Sequence, residues 1–280
     1  MHREPVTVEA PDGRPIAAVR HPAPAPRAVA VIRGGTAIRQ RFYARFAAWL
    51  AAHGITTWTF DYRGIGDSRR PGPLRREPAT YLDWALRDAP AVAARAAAEH
   101  PALPLIAIGH SFGAQALGLD PAPDRYAAAL LIAAGTGQPR HWPIPHRFGL
   151  WTLWRVMPLI AMTLGHVPGR LGLGEDLPAG AARDWARWCR HPAFMRGVLG
   201  PEVARHGEWR APLTMMSFAD DAYAPPGSAA ELFEWYARAP GALHDRDAGP
   251  AGHFGFFRGD AADSLWPRAL RHIERMLSAR

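Results

Sequence analysis

Residues 105–113 read Leu105-Ile106-Ala107-Ile108-Gly109-His110-Ser111-Phe112-Gly113, an apolar run that closes on Gly-x-Ser-x-Gly with helix-forming residues behind it. This is the sequence form of a sharp strand-to-helix turn that lifts a serine hydroxyl above a parallel sheet. Both glycines have a physical reason, because such a strained turn crowds neighbouring backbone against the serine and leaves no room for a Cβ. Ser111 is therefore the natural candidate nucleophile. His110, inside the turn, is expected to pack or hydrogen-bond rather than to react.

On either side of this segment, short apolar or β-branched runs alternate with longer helical patterns. That alternation predicts a mainly parallel sheet with helices on both faces. Val6–Val8 and Ile16–Val19, joined by Pro11-Asp12-Gly13, read as an opening hairpin. Ala28–Ile32, Ile55–Phe60, Leu105–Ile108 and Ala128–Ala133 continue the strands. Helices are predicted over 42–53, stopped by Gly54, over 81–100, interrupted or kinked at Pro90, and over 112–119. The alternation breaks after Ala133 and resumes with a strand over Leu213–Phe218, a helix over 228–237, a strand near Leu243–Asp247 and a closing helix over 261–277. Residues 136–210 thus read as a helical lid inserted into one domain built from residues 1–135 and 211–280. The insertion carries ten arginines against five carboxylates, which is +5 of the chain's net +8. Its Trp142, Trp151, Trp154, Trp185 and Trp188 are expected to pack a small core and to wall a pocket over the nucleophile. The arginine excess fits an anionic substrate or a lipid surface, and equally well exposed helix faces.

Composition narrows the chemistry. All 33 basic residues are arginine, and with alanine and proline abundant this reads as a composition bias rather than a selected basic face, so no nucleic-acid partner is expected. Without lysine there is no Schiff base, which excludes lysine-anchored pyridoxal chemistry. The single Cys189 excludes an intramolecular disulfide and a cysteine metal cluster. The first residues lack a basic-then-apolar signal segment, and the longest uncharged apolar stretch, near 156–165, is too short for a bilayer. A cytoplasmic protein without a transmembrane segment is expected.

A serine needs a base to take its proton and an acid to orient that base. After Leu213–Phe218 come Ala219-Asp220-Asp221-Ala222-Tyr223-Ala224-Pro225, and after the last strand Gly249-Pro250-Ala251-Gly252-His253-Phe254-Gly255. Serine, then acid, then histidine, each following a strand, is one of the known chain orders for such a triad. With Asp61-Tyr62-Arg63-Gly64-Ile65-Gly66-Asp67-Ser68 after the fourth strand, these segments resemble the α/β-hydrolases, nearest the lysophospholipase-like and serine-aminopeptidase-like branch. The resemblance implies an α/β-hydrolase fold with Ser111 as nucleophile, His253 as general base and Asp221 as the orienting carboxylate, Asp220 being the alternative. It implies oxyanion donors from the Phe112 N–H and from the loop Arg33-Gly34-Gly35-Thr36, where either Gly35 or Thr36 serves. Many relatives carry His-Gly where this chain has Arg33-Gly34. No metal or organic cofactor is implied. The expected partner is a small acyl substrate, lipid-like if the lid takes an acyl chain, and the expected activity is hydrolysis of a carboxylic ester. Thioesterase, amidase and acyltransferase chemistry share the same residues, and a non-catalytic ligand- or partner-binding protein of the same fold is the alternative class. The loop Asp61–Ser68 lacks the third glycine of a phosphate cradle and reads as structural, and His244, Asp245 and Asp247 read as a solvated strand end rather than a metal site.

Overall fold

The structure, a computed structural model, describes residues 2–172 and 174–279. Its centre is an eight-stranded sheet of β1 (Glu4–Glu9), β2 (Pro15–His21), β3 (Ala28–Arg33), β4 (Ile55–Phe60), β5 (Leu105–His110), β6 (Tyr126–Ile132), β7 (Leu213–Met216) and β8 (Leu243–Asp245). The spatial order is β1-β2-β4-β3-β5-β6-β7-β8. β1 and β2 form the antiparallel hairpin read from the sequence, β2 runs antiparallel to β4, and every other pair is parallel. β3, β4, β5 and β6 are buried at every residue, which is why they appear as unbroken apolar runs instead of alternating patterns. Side chains of β5 alternate between two cores: Leu105 and Ala107 enter one, Ile106 and Ile108 the other.

The helices α1 (Ala44–Ala52) and α8 (Leu265–Ser278) cover one face with Phe46, Leu50, Trp266 and Ile273. α2 (Ala89–Glu99), the short α3 (Phe112–Gln115) and α7 (Pro226–Trp235) cover the other with Val92, Phe112 and Leu232. Gly54, at φ 81°, ends α1 in the left-handed conformation its position demands. At Pro90 the expected interruption takes the form of a change of helix type. The segment 81–99 stays helical, and it widens into a π turn over Trp84–Asp88 just before the proline. Pro90 has no N–H for the Leu86 carbonyl, so the turn absorbs the missing bond instead of breaking.

Between β6 and β7 lie α4 (Ile144–Leu164), α5 (Ala179–Arg190) and α6 (Phe194–Leu199). A two-residue ribbon, His166–Val167 against Leu177–Pro178, joins α4 to α5 and has no counterpart in the sequence reading. Trp154, Met157 and Ala161, spaced three and four apart, bury one stripe of α4, and Trp154 packs on Trp185 at 4.9 Å. The opposite face carries Ile144, Phe148, Leu159 and Met162 into solvent, each at least 56% exposed. No helix among the described residues is long and apolar enough to cross a membrane.

Candidate active site

Ser111 sits between β5 and α3 with φ 51° and ψ −116°, a conformation that side-chain-bearing residues rarely adopt. The reason for the two flanking glycines is geometric. A Cβ on Gly109 would stand 2.7 Å from the Ala114 backbone, and one on Gly113 would stand 2.1 Å from the Arg33 carbonyl oxygen. Since the obstacle at Gly113 is backbone of the central strand β3, Gly113→Ala is expected to destabilise the protein by about 3 kcal/mol or more, read from its urea midpoint.

Three loops at the carboxyl ends of parallel strands meet here. His253, after β8, has Nε2 3.0 Å from Ser111 Oγ and Nδ1 2.9 Å from Asp221 Oδ2. Asp221, after β7, is buried, and its Oδ1 accepts the Tyr223 and Ala224 N–H groups, both at 2.8 Å. Those two bonds fix the carboxylate with both oxygens toward His253 Nδ1, Oδ2 at 2.9 Å and Oδ1 at 3.1 Å. Asp220 points elsewhere: its Oδ1 accepts from Ala251 and Gly252 N–H at 3.0 and 2.9 Å, which tethers the loop that carries His253. The Gly252 bond, more than any other cause, holds the Asp220 carboxyl below its usual range.

His110 is wholly buried and ties three segments together. Its Nε2 lies 2.9 Å from the His253 carbonyl oxygen, which can only accept, so Nε2 carries the proton. Nδ1 is then an acceptor and takes the Tyr43 hydroxyl proton at 2.9 Å, and the Tyr43 oxygen accepts the Gly35 N–H at 2.8 Å. One chain of bonds thus runs from the loop after β3, through the turn, to the histidine loop. Burial, above all, keeps His110 neutral by pushing its pKa well below the usual value. Sequence reading missed Tyr43, because a tyrosine opening an amphipathic helix reads as core and nothing local marks its hydroxyl.

The same chain occupies the Gly35 N–H, whereas the N–H groups of Thr36 and Phe112 have no acceptor among the described residues. Thr36 is held from its side chain, Oγ1 lying 2.5 Å from the Tyr81 hydroxyl. Arg33 is fully buried, its guanidinium directed to Asp120, 2.5 Å distant.

His206 is a second wholly buried histidine, donating from Nε2 to the Gln115 carbonyl at 2.8 Å beneath α3, and burial lowers its pKa to about 4. An unfolded chain titrates its histidines near the ordinary 6.5, so on acidification it gains protons that folded His206 and His110 refuse. Stability is therefore fully present above the unfolded value and drains away as pH falls below it. His206 alone is expected to account for roughly 2 kcal/mol between pH 7 and 5. Urea midpoints at the two pH values check this, and in His206→Gln the acid loss shrinks by that share.

Two readings of polar segments meet the structure differently. The loop Asp61–Ser68 closes on its own carboxylate, Asp61 accepting from Gln40 N at 2.7 Å and Asp67 N at 3.0 Å, as a structural turn does. Asp245 corrects the expectation of a solvated strand end. It is 6% exposed, and its carboxylate is gripped by Arg268 and by His272 at 2.7 Å, both from α8.

Residues 24–192 match the family described as serine aminopeptidase S33. Among solved structures, an esterase domain from Rhodothermus marinus is similar with TM-score 0.64 and 19% identity, covering 99% of this chain and 100% of that one. An esterase from Pyrococcus furiosus gives TM-score 0.65 and 13% identity over 99% and 92%. GrgF from Penicillium, described as an alpha/beta hydrolase, gives 0.63 and 17% over 99% and 100%. No curated protein matches. At such identities the likeness to solved structures establishes the fold, and the chemistry rests on the site.

Proposed function

Since the chain belongs to the serine aminopeptidase S33 family of α/β hydrolases, we propose that it hydrolyses a carboxylic ester or related acyl compound through an acyl-enzyme on Ser111. The observation that carries the reading is the line of contacts from Asp221 Oδ2 to His253 Nδ1 at 2.9 Å and from His253 Nε2 to Ser111 Oγ at 3.0 Å. His253 takes the Ser111 proton as Oγ attacks the carbonyl carbon, and Asp221 stabilises the imidazolium that forms. The oxyanion takes hydrogen bonds from the Phe112 and Thr36 N–H groups, because the Gly35 N–H is committed to Tyr43. His253 returns the proton to the leaving alcohol, and the same imidazole then activates water against the acyl-enzyme. The acid portion of the substrate is apolar, a choice supported by the accessible aromatic rings beside the histidine, Tyr223 at 5.1 Å and Phe254 at 4.9 Å from His253. In this reading the helices of residues 136–210 act as the lid.

The test is fluorophosphonate labelling of the purified protein together with a p-nitrophenyl ester series of increasing chain length. Labelling at Ser111 and turnover that rises with chain length are expected. A folded protein that neither labels nor turns over any ester overturns the reading.

A further inference from the structure

A cavity of about 330 Å³ lies among the inserted helices, and neither Ser111 nor His253 belongs to its wall. Arg140, Arg147, Arg155 and Arg190 line it with Trp151 and Trp154, and no carboxylate does. Arg140 is already neutralised by Glu231, 2.5 Å away. The other three make hydrogen bonds only to backbone: Arg147 to the Arg140 carbonyl at 2.7 Å, Arg155 to that of Trp151 at 3.0 Å, and Arg190 to that of Ala186 at 3.0 Å. Three guanidinium groups around one cavity repel one another, and no protein anion among the described residues offsets them.

A second observation is independent of charge. Trp154, 4% exposed, forms part of the wall, and its indole N–H has no acceptor among the described residues. That nitrogen lies beneath the cavity surface, so what Trp154 presents to the cavity is the apolar part of its ring. Apart from Gln138, whose amide donates to the His191 carbonyl, the rest of the lining is apolar, with the Arg155 guanidinium 3.5 Å above the Trp151 ring.

We propose that this cavity is a binding site for a small organic anion with an apolar body, such as an aromatic or short aliphatic carboxylate or phosphate. The anionic head satisfies Arg147, Arg155 and Arg190, and the body lies against the Trp151 and Trp154 rings. The site is separate from the triad, so it stands whether or not Ser111 is an activated nucleophile.

Calorimetric titration of the purified protein with 1-naphthoate, 1-naphthyl phosphate and the uncharged 1-naphthylmethanol tests this. The wild type is expected to bind at least one of the two anions tenfold or more tighter than the alcohol, and the tighter anion identifies the head group. In the triple variant Arg147→Gln/Arg155→Gln/Arg190→Gln that preference disappears. All three side chains are exposed, so the change leaves the cores untouched. The control triple Arg170→Gln/Arg183→Gln/Arg187→Gln removes the same charge from insertion arginines outside the wall and keeps the preference. Equal affinity for acid, phosphate and alcohol, or the same loss in both triples, overturns the proposal.

Discussion

Ser111→Ala is expected to abolish fluorophosphonate labelling and to lower ester kcat by roughly 10⁴-fold or more, with little change in stability. The loss follows from removing Ser111 Oγ, the hydroxyl that lies 3.0 Å from His253 Nε2. Without Oγ no acyl-enzyme forms, and what survives is the slow attack of water on an ester held by backbone donors. The small effect on stability follows from where the strain sits. The φ of 51° at position 111 is imposed by the turn, by the Ser111 N–H on the Ile132 carbonyl and by the close approach of Gly109 and Gly113 to their neighbours. Alanine keeps the same Cβ and the same strain, so thermal unfolding should stay within a few degrees of the wild type. A variant that lost both activity and several degrees of Tm would point instead to a serine needed for the turn. Wild-type turnover in Ser111→Ala would remove the acyl-enzyme mechanism outright.

The features legible in the sequence are those decided over a few neighbouring residues. A strand buried on both faces must be apolar throughout, so β3 to β6 stand out as short runs between helical stretches. The Gly-Ser-Gly spacing is a local steric requirement of one turn. The order of strands then accounts for why Asp220 or Asp221 and His253 fall at one end of the sheet, since all follow parallel strands next to or near β5. What stayed illegible depends on partners far away in the chain. Tyr43 becomes a link between Gly35 and His110 only because the 3-10 turn Gln40–Tyr43 leading into α1 brings its hydroxyl to the carboxyl ends of β3 and β5. Arg33 reads as an anomalous oxyanion-loop residue until Asp120, 87 positions later, is found beside it. Asp245 looks solvated until α8 closes over it with Arg268 and His272. The inserted helices hide for another reason: α4 is apolar nearly all round, so periodicity does not reveal which stripe is buried.

The two adjacent aspartates give the sharpest separation of a chemical role from a tethering one, because the same Asp→Asn change acts with very different force at each. In Asp221→Asn, the Tyr223 and Ala224 N–H groups still need an acceptor, so the amide oxygen keeps the Oδ1 position. The amide nitrogen is then left at the Oδ2 position, 2.9 Å from His253 Nδ1. It can only donate, and because the Oδ2 position is nearer to Nδ1 than Oδ1 is, 2.9 against 3.1 Å, the closer contact now favours an acceptor at Nδ1 and shifts the imidazole proton to Nε2, where it faces Ser111. A histidine protonated at Nε2 cannot take the serine proton. About 10⁴-fold loss of kcat near neutral pH is expected, with KM little changed because no substrate contact is altered. In Asp220→Asn the amide oxygen again stays with the Ala251 and Gly252 N–H groups, and the nitrogen turns to solvent at an exposed position. That loop remains tethered, and kcat should fall less than about tenfold, since only the charge-assisted part of two hydrogen bonds is lost. Parallel kcat and KM values for the two variants decide the matter. If Asp220→Asn were the crippled enzyme and Asp221→Asn the active one, the orienting carboxylate would have to be reassigned to Asp220.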